Sequence, residues 1–228
     1  MIDIHSHILC GVDDGSQSIE ESVKMLRAAK DIGFDKIIAT PHVMRSGYEK
    51  DRLADAFASV SAEAKKIGIE IYQGYEYNCY ALNDDGIEGA LRYCTEGTNT
   101  ILLEFKSTVG FPANWESIVM NLQREGANII IAHPERYRQV QTNIEKIVRS
   151  VEMGCRLQLD GLSLIEPGFM NKTRKCAKKL LESGLISYIA SDAHCEEDYL
   201  RFGEVVGNIS QPRFFEAGRN DEYSVFFN

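Results

Sequence analysis

Positive charge is scarce in this chain. Of 228 residues, 25 are Lys or Arg against 34 Asp or Glu, and the net charge is −9 at neutral pH. That balance argues against a nucleic-acid binder or a protein lying on an anionic membrane surface, since both carry a basic footprint. Long apolar runs are missing too, and a stretch such as 129–132 is far too short to span a bilayer. The opening Met1-Ile2-Asp3-Ile4-His5 has neither a basic nor a long apolar segment, so no signal peptide is expected. The six cysteines (Cys10, Cys79, Cys94, Cys155, Cys176 and Cys195) are scattered and form no Cys-x-x-Cys unit. Without an export signal they are expected to be free thiols in a reducing cytoplasm. No linker, repeat or low-complexity tract divides the chain, so one domain over residues 1–228 is expected.

What the sequence does contain is an alternation. Short β-rich runs at 2–5, 36–40, 70–75, 100–105, 128–132, 156–159 and 187–191 are separated by amphipathic stretches. Ser18 followed by Glu21 reads as a capping box, and Ile19, Val23 and Leu26 then share one helical face. Further helical patterns run over 51–67, 114–123, 143–153 and 172–181. Strand–helix alternation predicts a parallel sheet. Two architectures compete, a closed (β/α) barrel and an open doubly wound sheet. No Gly-x-Gly-x-x-Gly follows any run, which weakens the second.

Chemistry on a parallel barrel sits where strands end. His5-Ser6-His7 and Asp13-Asp14 follow the first run, His42 the second and Glu76 the third. Glu104 closes the fourth, His133-Pro134-Glu135-Arg136 follow the fifth, Asp160 the sixth, and Asp192-Ala193-His194 the seventh. All five histidines of the chain are therefore at strand ends. With the carboxylates they make a nitrogen and oxygen donor set that suits Zn, Mn or Fe, in a site with open positions rather than a closed structural one. His5-x-His7 on an extended segment places both imidazoles on one side, because strand side chains alternate. Glu76 and Glu104 are the candidates to bridge paired ions. Arg136 follows the fifth run, and Arg45, three residues past His42, is a second candidate cation.

These residues, in this order, resemble the polymerase-and-histidinol-phosphatase (PHP) family of metal-dependent phosphoesterases. The strings Met1-Ile2-Asp3-Ile4-His5-Ser6-His7-Ile8, Val12-Asp13-Asp14-Gly15, Ile131-Ala132-His133-Pro134-Glu135-Arg136-Tyr137 and Ile189-Ala190-Ser191-Asp192-Ala193-His194 carry the likeness. More narrowly, they are similar to the bacterial manganese-dependent tyrosine phosphatases that act on membrane-associated tyrosine kinases of capsule and exopolysaccharide synthesis. The resemblance implies an α/β fold, a distorted seven-stranded (β/α)7 TIM-like barrel, and two to three divalent ions, Mn before Fe or Zn. It implies one ion on His5, His7, Glu76 and Asp192, a second on Glu76, Glu104 and His133, and a third on Asp14, His42 and His194. Arg136 then contacts substrate phosphate, with Asp192 and His194 also at the reacting centre, where a hydroxide bridging two ions attacks phosphorus. Asp160 and a metal-bound water are the candidates to assist a poorer leaving group, and the sequence does not choose between them.

Alternatives remain open at this stage: a small phosphomonoester such as histidinol phosphate, a C–N hydrolase of the amidohydrolase kind, or a non-catalytic scaffold. One string points elsewhere: His194-Cys195, five residues, then Arg201 formally fits the cysteine-dependent tyrosine phosphatases. Its intervening Glu196-Glu197-Asp198 would face the phosphate and disfavour a thiolate. Replacing Cys195 by Ser is therefore expected to leave phosphatase turnover near that of the unmodified protein. Loss of activity in a steady-state assay would restore the thiolate route.

Overall fold

A computed structural model describes residues 1–43, 50–106, 110–168 and 170–209. The chain runs β1 (Ile2–Ser6), α1 (Ile19–Asp31), β2 (Lys36–Ala39), β3 (His42–Val43), α2 (Lys50–Ile67), β4 (Glu70–Gln73), β5 (Glu76–Asn78) and α3 (Leu82–Ala90). It continues through β6 (Thr100–Glu104), α4 (Trp115–Arg124), β7 (Asn128–Ala132), α5 (Arg138–Thr142), α6 (Glu145–Glu152), β8 (Arg156–Asp160), α7 (Leu162–Ile165), α8 (Lys172–Glu182), β9 (Tyr188–Ala190) and α9 (Glu196–Asn208). Every strand pairing is parallel, as the alternation requires. Among the described residues no helix is long and apolar enough to cross a membrane.

The strand count differs from the expected seven. Among the described residues nine strands form two sheets, ordered β1-β2-β4 and β3-β5-β6-β7-β8-β9, and no ladder closes them into a barrel. The difference has a local cause. Thr40-Pro41 ends the second expected run after β2, where Pro41 has no N–H to continue a ladder, and β3 starts beyond that run. Gly74-Tyr75 likewise separates β4 from β5. An added Cβ on Gly74 would run into Ile38, so only glycine allows that close crossing. The free edge of β1 meets the segment after β9 through a single bridge, Ser6 to Ala193.

Side-chain alternation sorts the core into two layers. Ile37, Leu103, Ile131, Leu157 and Ile189 face the helices. Their neighbours Ile38, Leu102, Ile130, Tyr188 and Ala190 cluster on the opposite face with Ile2 and Ile4. This second cluster forms an apolar floor, and polar residues succeed it toward the carboxyl ends of the same strands. In β1 the register slips between Asp3 and Ser6, where three steps oppose two on β2. Such a bulge shifts the alternation by one residue. Ile2 and Ile4 therefore join the floor while His5 turns toward the same side.

Helix starts follow their chemistry. The Ser18 hydroxyl accepts the Glu21 N–H at 3.3 Å, as expected of the cap. Glu21 reaches back one residue further than expected and accepts the Gln17 N–H at 2.7 Å. The segment after His194 forms α9 and packs along α1. Its buried Tyr199 hydroxyl donates to Asp3 Oδ2 at 2.9 Å and stands 2.9 Å from the Ser6 hydroxyl. Ser191 donates to the same Asp3 oxygen at 2.5 Å. Burial raises the Asp3 pKa, and the hydrogen bonds from Ser191 and Tyr199 work against that rise. Tyr199→Phe removes one donor from a buried carboxyl and is expected to cost about 1–3 kcal/mol of stability, read from the denaturant midpoint. An unchanged midpoint would show that water replaces the hydroxyl.

Candidate metal centre

Every histidine in the described structure converges on one end of the sheets. His5 and His7 arrive from β1, with their Nε2 atoms 3.2 Å apart. Asp192, which follows β9, sets Oδ1 at 3.1 Å from both. Glu76 opens β5 and lies fully inside the group. Its Oε1 is 2.6 Å from His133 Nε2, and its Oε2 is 2.7 Å from His42 Nδ1 and 3.5 Å from each of His5 and His7 Nε2. Asp14 Oδ1 stands 3.2 Å from His42 Nε2 and 3.6 Å from His194 Nε2, at the open rim where Asp14 is 70% exposed. His7 stacks on His194 with ring centroids 4.1 Å apart.

The far nitrogens of three of these rings, His5, His7 and His194, are already committed. His5 Nδ1–H donates to Gln158 Oε1 at 3.0 Å, His7 Nδ1–H to Asp13 Oδ2 at 2.8 Å, and His194 Nδ1–H to the Asp192 carbonyl at 2.8 Å. Each bond fixes the tautomer and leaves a lone pair on Nε2. Gly15 seals the turn below His7, because an added Cβ would land on the His7 carbonyl. His133 and Asp192 are the two non-glycine residues with positive φ among those described, +29° and +49°. Strain of that kind persists where surrounding contacts hold a side chain in place for use.

The electrostatics point the same way. Burial alone would lower the His5 pKa, but Asp192 and Glu76 outweigh it and raise it to about 9. Burial pulls Glu76 upward, yet His5 and His133 hold it well below the usual carboxylate range. His5 and Arg136 do the same for Asp192. Two Nε2 atoms 3.2 Å apart cannot both aim a proton at the other. One positive charge held in common is what these acids demand.

Four groups of ligand atoms lie close enough to share an ion: His7-Asp14-His42-His194, His5-His7-Asp192, His5-Glu76-His133 and His42-Glu76-Glu104. The nine sequence-derived ligands all fall in these groups, and His5, His7, His42 and Glu76 each stand in two of them. His7 joins the Asp14, His42 and His194 set, and Glu104 falls beside His42 and Glu76 rather than beside His133. Glu104 Oε2 also accepts from Asn78 Nδ2 at 2.7 Å. Burial and Glu76 together raise the Glu104 pKa.

Arg136 lies beside this cluster, but two acids already hold it. Nη2 pairs with Asp160 Oδ2 and Nη1 with Asp192 Oδ2, each at 2.6 Å, and the side chain is 35% exposed. Asp160, expected as a free acid near the leaving group, is spent on Arg136 and on the Leu162 N–H. Glu135 lies beneath, accepting the Asp160 N–H, and burial and then Asp160 push its pKa up to about 7. Arg45 lies outside the described residues. The Cys195-to-Arg201 string forms no phosphate loop. Cys195 caps α9, the rest is helix, and the thiol donates to Asp198. Burial raises its pKa.

Sequence reading missed the supports: Gln158, Asn78, Glu135, and Asp13 as the partner of His7. Gln158 carried a signal, a polar side chain in the strand Arg156-Leu157-Gln158-Leu159-Asp160 whose alternation places it on the face of Asp160. Asn78 carried the same signal, two residues beyond Glu76.

Histidines and carboxylates gathered at the carboxyl ends of parallel strands define the class, an α/β protein built in the manner of metal-dependent hydrolases. The chain belongs to the CpsB/CapC family of capsular polysaccharide synthesis, whose model matches residues 1–201. It is 35% identical over 201 residues to CapC of Staphylococcus aureus, covering 85% of this chain and 77% of that one. It is 33% identical over 199 residues to the tyrosine-protein phosphatase YwqE of Bacillus subtilis, with the same two coverages. Solved structures of YwqE from Bacillus subtilis and CpsB from Streptococcus pneumoniae are described as metal-dependent tyrosine phosphatases. The matching chain superimposes with a TM-score of 0.79 at 30% identity, over 97% of this chain and 89% of that one.

A raised histidine pKa stabilises the fold below the unfolded value of 6.5 and loses that contribution as pH climbs through about 9. Metal-free protein is therefore expected to show a falling thermal midpoint across that window. A midpoint flat from pH 6.5 to 9.5 would remove His5 as the group sharing the acids' charge.

Proposed function

We propose that this chain is a metal-dependent tyrosine phosphatase that hydrolyses phosphotyrosine on proteins, among them a membrane-associated tyrosine kinase of capsule or exopolysaccharide synthesis. The observation that carries this reading is the set of inward lone pairs. Glu76 Oε2 and Asp192 Oδ1 are buried without an aligned hydrogen-bond donor, although imidazole nitrogens stand 2.7–3.5 Å away. Ligand atoms at about 2.0–2.2 Å from one ion stand roughly 3.0–3.5 Å from each other, and hydrogen-bonded pairs do not need to converge in this way. The donor set therefore fits divalent ions. Its mixture of imidazole and carboxylate favours Mn, Fe or Zn. We assign His5, His7 and Asp192 to one ion, Glu76 and His133 to a second with Glu104 at its edge, and Asp14, His42 and His194 to a third at the rim. Two or three of these positions fill. The free state of all six thiols supports a cytoplasmic setting.

Divalent ions in such a site offset phosphoryl charge and acidify water. The chain's own residues do the rest. Asp13 and Gln158 hold the His7 and His5 rings in one tautomer, so their lone pairs stay aimed inward. Asp160 and Asp192 pin two nitrogens of Arg136, and the guanidinium keeps further N–H groups for a phosphate oxygen. Asp192 thus ties the substrate cation to the metal ligands. His194, whose pKa is lowered by burial and by His7, stays neutral at the rim. The apolar floor keeps water out from below. Asp160 is not free to protonate a leaving group, which suits a phenol of pKa about 10 better than an aliphatic alcohol. That favours phosphotyrosine over histidinol phosphate. We read the two sheets as halves of one distorted (β/α)7 barrel of PHP type, in a single domain over residues 1–228. The paired fragments β2 with β3 and β4 with β5, and the Ser6–Ala193 bridge, support it.

Exhaustive chelation is expected to abolish turnover of a phosphotyrosine peptide, and added Mn²⁺ to restore it. Elemental analysis of the loaded protein should then find two or three ions per chain. Turnover undiminished after chelation would reject the reading.

A further inference from the structure

The chain is acidic overall, yet part of its positive charge is concentrated in one place. Just past Arg136 the chain enters α5, whose first residue, Arg138, is exposed. A cavity of about 660 Å³ opens between α5 and α8, and Arg138, Lys172, Lys175 and Lys179 line it. A neighbouring cavity of about 480 Å³ shares Arg138 and adds Lys146, with Glu145 as its acidic member. Lys172, Lys175 and Lys179 are spaced i, i+3 and i+7, so they share one face of α8, and all three are exposed. The first cavity has no acidic side chain in its lining among the described residues. α8 packs against the turn Pro134–Arg136, so the groove begins beside the residue that reaches the metal centre.

We propose that this groove seats an acidic stretch of the phosphoprotein substrate, next to the phosphotyrosine at the metal centre. The proposal rests on the phosphatase reading and names the sequence context that the site selects. A protein of net charge −9 repels an acidic substrate at long range. A cationic track leading to the centre reverses that repulsion locally and fixes the direction of approach. A lipid surface fits the groove less well, because membrane-lying faces present large apolar side chains, and here Val140 and Cys176 are the apolar lining. Single-stranded nucleic acid would need aromatic platforms for its bases, and the described lining contains none.

The test compares the metal-loaded protein with the triple variant Lys172→Glu, Lys175→Glu, Lys179→Glu, and with its milder form bearing Gln at the same positions. Turnover is measured on a phosphotyrosine peptide flanked by Asp and Glu, on one flanked by Ser and Gly, and on p-nitrophenyl phosphate. Binding of a fluorescent acidic peptide without phosphotyrosine is followed by anisotropy. Reversal is expected to raise KM for the acidic peptide about tenfold or more with kcat unchanged, as loss of uniform binding does. The Gln form should give a smaller rise, and the other two substrates should not change. Weaker binding of the unphosphorylated acidic peptide should parallel the rise. Equal KM and equal binding for all three proteins would overturn the groove. So would loss of binding to phosphatidylserine vesicles with peptide binding intact, which would assign the cations to a membrane. Absence of turnover on every substrate, with peptide binding still lost on reversal, would overturn the phosphatase reading and leave the groove as an acidic-peptide site.

Discussion

A carboxylate with no water around it governs this structure. Glu76 is 1% exposed, and four imidazoles stand within 3.5 Å of its oxygens. An isolated buried carboxylate costs several kcal/mol of desolvation, which only nearby positive charge repays. The histidines do not supply it fully, because the far nitrogens of His5 and His7 are engaged elsewhere and their near ones converge on one another. The centre is complete only when a cation shares the space. Asp192 repeats the pattern and adds Arg136, so the histidine cluster and the guanidinium share one carboxylate.

The irregularities of the fold all serve that centre. The slip in β1 brings His5 to the face already occupied by Ile2 and Ile4. Pro41 ends β2 and lets His42 start a separate short strand in register with Glu76. Gly74 allows the matching break before Glu76. His133 and Asp192 sit in left-handed backbone at the ends of β7 and β9. A regular barrel would have sent alternate side chains outward at these points. Each break redirects one donor atom inward at a local cost in hydrogen bonds or strain, and the large apolar core absorbs that cost.

Charge is organised on two scales. At short range, acids gather histidines and hold Arg136 in place. Against the acidic balance of the whole chain, cations along α5 and α8 line a groove that starts beside Arg136. The same separation explains the Cys195 string. Acids at the start of α9 cap a helix, as acids at a helix N-terminus do. The thiol beside them is a cap and not a nucleophile.

The sequence by itself determined the parallel strand–helix order and the identity of the donor set. Both are carried by local patterns: alternation of apolar residues, turn residues after each run, and histidines and acids confined to strand ends. It determined less about which donors lie together. His7 stands in two of the groups, Glu104 lies beside His42 and Glu76, and Arg136 is held by Asp160 and Asp192. Those outcomes depend on distances between residues well separated in sequence, from 24 positions for Arg136 and Asp160 to 187 for His7 and His194, set by register and strand breaks that no local window contains. Gln158, Asn78 and Asp13 as supports, the nine-strand count, and the alignment of three lysines on α8 with Arg138 on α5 were likewise decided only by tertiary packing. A side chain's partner is a property of the assembled fold, whereas its periodicity is written in the chain.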